Sequence, residues 1–150
     1  MIDSISQKVY TTLSQDSALQ GLLPNVKDSS NIWELRMPDP ALENKFPIVV
    51  YRVVSLTPIL EVQVLDAMNW FIEIDILGNK ASTADLWSIH KRIYALLENS
   101  NMSSGHNISY KCKLDFLNTD YDKQTLTTFI TTRYQIFSIE FPSTAINDLG

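Results

Sequence analysis

Glycine is scarce in this 150-residue chain, with four copies, and cysteine occurs once. Four glycines cannot build the Gly-rich turns that cradle phosphates or dinucleotides, and no Gly-x-Ser-x-Gly is present to display a nucleophilic serine. The lone Cys112 excludes an intrachain disulfide and a cysteine zinc cage, and reads as a small apolar residue. Histidine is almost as rare. His90 sits one residue from an apolar helical stripe and His106 in a polar turn, with no His-Glu-x-x-His between them, so zinc hydrolysis has no support. Positive charge is short too: 12 Lys and Arg against 17 Asp and Glu leave −5, and the longest basic cluster is Lys91-Arg92. Affinity for nucleic acid through phosphate neutralisation is therefore not expected. No apolar run approaches the ~20 residues of a membrane span. Met1–Lys8 lacks the basic-then-apolar order of a signal peptide, so the sequence predicts a soluble protein of a reducing compartment with no membrane partner.

What remains is an ordinary globular composition, 45% hydrophobic and 10% aromatic. Its length predicts one domain over residues 1–141, followed by a flexible tail, 142–150, without periodicity. Ile2, Ile5, Val9 and Leu13 recur at helical spacing. Asp16 then opens a short helical turn carrying Leu19, Leu22 and Leu23, ended by Pro24. From Asn25 to Lys45 the pattern dissolves into an irregular connection, within which Ile32-Trp33-Glu34-Leu35 could add a short extended piece. Pro47 introduces the β-branched run Ile48–Val54, a strand. Leu60–Val64 alternates as a hairpin arm, and Asn69–Leu77 follows as the clearest strand. In it Trp70, Ile72, Ile74 and Ile76 take one face, and Glu73 and Asp75 the other. Ser82-Thr83-Ala84-Asp85 resembles a capping box before the stripe Leu86, Ile89, Ile93, Leu96 and Leu97. A polar turn over residues 99–105 ends that helix. Two more strands, about 108–117 and 127–141, are joined by residues 118–123.

The order helix, strand, strand, helix, strand, strand predicts an α+β fold. It has a mainly antiparallel sheet of about four strands, with two helices packed on one face. Neither the Asp115, Asp120, Asp122 group nor the Glu73/Asp75 pair is a site by itself. The first lacks the Gly and terminal Glu of a calcium loop. The second, about 7 Å apart along a strand, describes the solvated side of any sheet. No catalytic residue, cofactor or metal is expected. A sheet covered on one side leaves a face to explain. Tyr51, Phe71, Leu77, Phe129 and Phe137 are more bulk than one covered face absorbs, and Arg52 and Arg133 stand among them. Tyr51, Arg52, Phe71, Phe129 and Arg133 are thus candidates for a subunit interface, some of them alternatively completing the core.

The amphipathic first helix with its Asp16-Ser-Ala-Leu19 continuation comes before a Pro-containing irregular loop. Phe46-Pro47-Ile48-Val49-Val50-Tyr51, a strand ending near Gly78, a helix closing in Ile93-Tyr94-Ala95-Leu96-Leu97 and two long strands follow. Together these resemble the tail terminator and tail-to-head joining proteins of long-tailed bacteriophages and prophages, over about residues 1–141. The loop before Pro47 is longer and richer in Pro and Asp than in that pattern. The resemblance implies a virion protein at the tail–head junction, assembled in the host cytoplasm. Six copies would form a ring that caps the tail tube, presents a surface to the head-side connector and lets DNA pass without specific binding. It implies Glu73, Asp75 and Asp115 as residues of an acidic channel wall. Trp33, Leu35, Leu60, Val62 and Val64 become candidates for docking onto tube or connector. Other neck or baseplate components, a stand-alone binding module and an enzyme using Glu73/Asp75 or Cys112 are the alternatives.

Overall fold

The computed structural model describes residues 2–26, 29–34, 46–61, 66–79, 83–101, 103, 107–109, 111–124 and 127–140. Helix α1 (Ile2–Ser14) and the short α2 (Ser17–Leu22) come first, followed by the two-residue strands β1 (Asn25–Val26) and β2 (Ser29–Ser30) and by β3 (Ile32–Glu34). The long strands β4 (Ile48–Glu61) and β5 (Asp66–Asn79) precede helix α3 (Thr83–Leu97). Strands β6 (Asn107–Ser109), β7 (Lys113–Asp122) and β8 (Thr127–Glu140) complete the described chain.

The main sheet has six strands in the order β3-β4-β5-β8, with β6 and β7 both pairing with β8. All its pairings are antiparallel except β3 with β4, so the sheet is mixed. The fold class is α+β with its helices on one face, as the sequence predicts. The count is corrected from about four strands and two helices to six and three. The differences have local causes. Of the hairpin arm expected at Leu60–Val64, Leu60 and Glu61 are the end of β4, antiparallel to β5, and the register shifts around Pro58, a residue with no N–H to give the ladder. Val62 and Val64 lie outside the described residues. The connection expected at residues 118–123 is mostly strand: β7 runs on to Asp122, and its polar composition suits a strand whose side chains are nearly all exposed. The expected tail, 142–150, also lies outside the described residues.

Alternation puts Val49, Tyr51, Val53, Trp70, Ile72, Ile74, Ile76, Ile130, Tyr134 and Ile136 on one side of the sheet, in one buried cluster with Leu86, Ile89, Ile93 and Leu97 of α3 and Ile5, Val9 and Leu13 of α1. Helix α1 packs over β4 and β3, and α3 over β5 and β8. Burying each such side chain is worth about 1.5–3 kcal/mol. Asn99, at φ 64°, turns the chain out of α3, and its N–H donates to the Cys112 carbonyl at 2.7 Å. The short α2 is tethered at its start. Asp16 Oδ2 accepts from the Leu19 N–H at 2.8 Å, while Arg92 of α3 reaches the same carboxylate through Nε at 2.8 Å and a terminal nitrogen at 2.6 Å. The Arg92 bonds, aided by that backbone N–H, hold the Asp16 carboxyl below its ordinary 3.8.

Because the folded value is depressed, this stabilisation is full above the ordinary carboxylate range and fades as pH falls through the lower folded value. Asp16→Asn keeps an acceptor for Leu19 and loses the charge pair. It is expected to cost about 1–2 kcal/mol at neutral pH. In urea titrations the gap between variant and wild type should shrink below about pH 4.

Candidate functional site

No helix covers the second face of the sheet among the described residues. Register places these rows of side chains on it, with Asn69 and Phe137 beyond the last. Ile48, Leu77 and Phe129 form one; Val50, Asp75, Thr131 and Asn118 the next; Arg52, Glu73, Arg133 and Phe116 the third; Val54, Phe71 and Gln135 the fourth. Arg133 organises the centre. Its guanidinium carbon lies 4.7 Å from the Phe71 ring centroid and 5.8 Å from that of Phe116. Its Nε and a terminal nitrogen donate to Asp115 Oδ2 at 3.0 and 2.8 Å. A bulge between Leu114 and Phe116 turns Asp115 toward this arginine. Phe71 is 8% exposed, and Ile48 on the same face is fully buried. Arg52 donates to Glu73 from the neighbouring strand.

These contacts revise the sequence reading in part. Tyr51 does not belong to the uncovered face: it points under α1, is 2% exposed, and its hydroxyl donates to Glu34 Oε2 at 3.3 Å. Burial pushes that hydroxyl up to about 12. Alternation explains the miss, since the adjacent Arg52 takes the solvent side. Arg52, Phe71, Phe129 and Arg133 do share the uncovered face. Glu73 and Asp115 stand on it too, each paired with an arginine, whereas Asp75 lies between Val50 and Thr131. Trp33 is half-buried on β3 and its indole N–H donates to Asn31 at 2.5 Å. Leu60 is near the end of β4, paired with Ala67. Leu35 lies outside the described residues.

On the helical side, described residues line two cavities among others. One, about 360 Å³, is lined by Ser6, Gln7, Tyr10, Glu34 and Tyr51, with Ser6 Oγ donating to Glu34 Oε1 at 2.7 Å. The other, about 350 Å³, lies between α3 and β7, against Leu86, Trp87, Thr119, Asp120, Tyr121, Thr128 and Ile130. Among the described residues, neither lining holds a histidine, a cysteine or a lysine. Cys112 is fully buried and its thiol is pushed up to about 12, mainly by burial, so it is no nucleophile at neutral pH. His90 is buried against Trp87 and Tyr94, and burial lowers its pKa. Among the described residues no three His, Cys, Asp or Glu side chains gather to hold a metal ion, and no helix is long and apolar enough to cross a membrane. The sequence does not reveal the Arg133–Asp115 contact, because the bulge that makes it shifts the pairing parity within β7.

Residues 7–138 match the family model of the tail completion protein gp17. No curated protein matches the chain. Among solved structures, a chain of the virion of a native gene transfer agent particle aligns with TM-score 0.66 and 11% identity, over 87% of this chain and 91% of that one. A second solved chain aligns with TM-score 0.61 and 8% identity, over 95% of this chain and 99% of that one. At these identities the structural likeness speaks for the fold, and the family match for the role. The chain therefore belongs to the tail completion protein gp17 family, structural proteins of phage tails.

Proposed function

We propose that this chain completes a phage tail by capping the tail tube as a ring at the tail–head junction, where it encloses the DNA channel and offers a docking surface to the head-side connector. The observation that carries this reading is the sheet face over which no helix lies among the described residues, in a chain of this family. A monomer has no use for a face that sets Phe71, Phe116 and Phe129 among fixed charges, whereas a ring needs one surface toward its channel and flanks toward its neighbours. The face is turned to the channel, and the sheet edges meet adjacent copies. Arg52 and Arg133 offset Glu73 and Asp115, so Asp75 supplies the fixed negative charge of the wall. With −5 per chain, a ring of six repels a sliding DNA rather than gripping it. Trp33 on β3 and the end of β4 near Leu60 touch tube or connector in this reading.

Electron microscopy of the protein mixed with purified tail tubes tests this. The expected image is a ring of six-fold symmetry closing one tube end. Tubes whose ends stay bare at saturating protein would overturn the capping role, and density at the baseplate end would move the protein to another station of the tail.

A further inference from the structure

One row of the uncovered face carries charge of alternating sign. Arg52 on β4, Glu73 on β5 and Arg133 on β8 are register partners across three adjacent strands. The β7 bulge brings Asp115 onto Arg133 from the fourth. Across the sheet the signs run plus, minus, plus, minus. The inner pairings are made within the chain; the row ends on Arg52, whose side chain is 57% exposed, and on Asp115, 36% exposed against 42% for the inner Arg133. Both bonds from Arg133 fall on Oδ2 of Asp115, so Oδ1 keeps its lone pairs for another donor.

Strand direction fits the same arrangement. Strands β4, β5, β8 and β7 alternate, each antiparallel to the next. Because the set is even, a copy rotated about an axis along the strands brings its β7 antiparallel to this β4. Among the described residues, β3 pairs with β4 only from Val49 to Tyr51, and no strand pairs with the outer edge of β7. Arg52 stands just past the end of β3. Strands lie about 4.7–4.9 Å apart, so an arginine side chain can reach a carboxylate one strand further out. Resting on the ring reading, we propose that subunits join head to tail through these two edges. Arg52 of one copy is held by Asp115 of the next, and the alternating row continues around the ring. The contact is heterologous, with different patches meeting, so rotation closes it into a ring rather than a dimer. Being partly exposed, the pair sets register and orientation more than affinity.

Complementation tests it. Arg52→Glu and Asp115→Lys, each folded by circular dichroism, are expected alone to raise the concentration for half-maximal ring formation on tail tubes at least tenfold. An equimolar mixture should return to within about threefold of wild type, because alternating copies restore opposite charge at every junction. Single variants that assemble like wild type would overturn the pairing while leaving the ring intact. Singles that fail, with a mixture that fails equally, would trace the defect to the intrachain pairs and also overturn it. If wild type itself forms no ring on tubes, the ring reading falls and the pairing with it.

Discussion

Cutting Ile74 back to alanine should cost about 3–4 kcal/mol, toward the upper part of the range for buried aliphatic truncations. Ile74 sits mid-strand on β5, the third strand in from the β3 edge, fully buried, with Tyr51 as its register partner on β4 and Thr132 on β8. The Thr132 hydroxyl donates to the Ile74 carbonyl at 3.2 Å, which pins the backbone where the side chain is removed and hinders collapse of the resulting void. Both neighbours are buried and held by long ladders, so little can move in. The loss should lower the thermal midpoint by roughly 8–15 °C for a chain of this size. Alanine at Leu22, which is 37% exposed on α2, should cost under about 1 kcal/mol. Calorimetry of the two variants reads the contrast, and equal costs would contradict the assignment of the covered face.

Reversing Arg133 to glutamate has a larger consequence for assembly than for folding. It removes the cation from between Phe71 and Phe116 and sets a third carboxylate beside Glu73 and Asp115. The lost cation–π contact and the new repulsion together should cost about 1–2 kcal/mol, within the reserve of a typical domain, so the monomer remains folded. Ring formation should fall by at least tenfold, since Arg133 no longer holds Asp115, the carboxylate proposed to meet the next copy's Arg52. Arg133→Met, which keeps a long side chain over the rings, should retain the monomer's stability better while still weakening assembly. Velocity sedimentation on both variants separates the effects. Assembly of the glutamate variant at wild-type concentrations would contradict a junction built on Asp115.

Much of the fold was legible because periodicity is a local property. The Trp70, Ile72, Ile74, Ile76 alternation and the Leu86, Ile89, Ile93, Leu97 stripe each report the burial of one element, and both fall where the core lies. Asp16 at the start of α2 could be read for the same reason. What escaped depends on neighbours distant in sequence. Asn118 to Asp122 have turn chemistry, yet they stay extended because β8 gives them ladder partners from Thr131 to Thr127. Tyr51 carries the same signal as any strand aromatic. Only its register opposite Ile74, and the Ser6–Glu34 contact beneath α1, decides that it points inward. The uncovered face could be predicted as polar with aromatics, but not the bulge that couples Arg133 to Asp115. Neither charge pair could be inferred from composition, which counts charges without placing them.

Hydrogen exchange followed through ring assembly on tail tubes tests most directly where copies of this chain meet. The β7 amides that do not bond β8, and those of Arg52 to Val54 that do not bond β5, are expected to slow at least tenfold once the ring closes, while α3 from Trp87 to Tyr94 is unchanged. Protection confined to that aromatic flank of α3, with β7 exchanging as before, would put the junction on the helical side and contradict it.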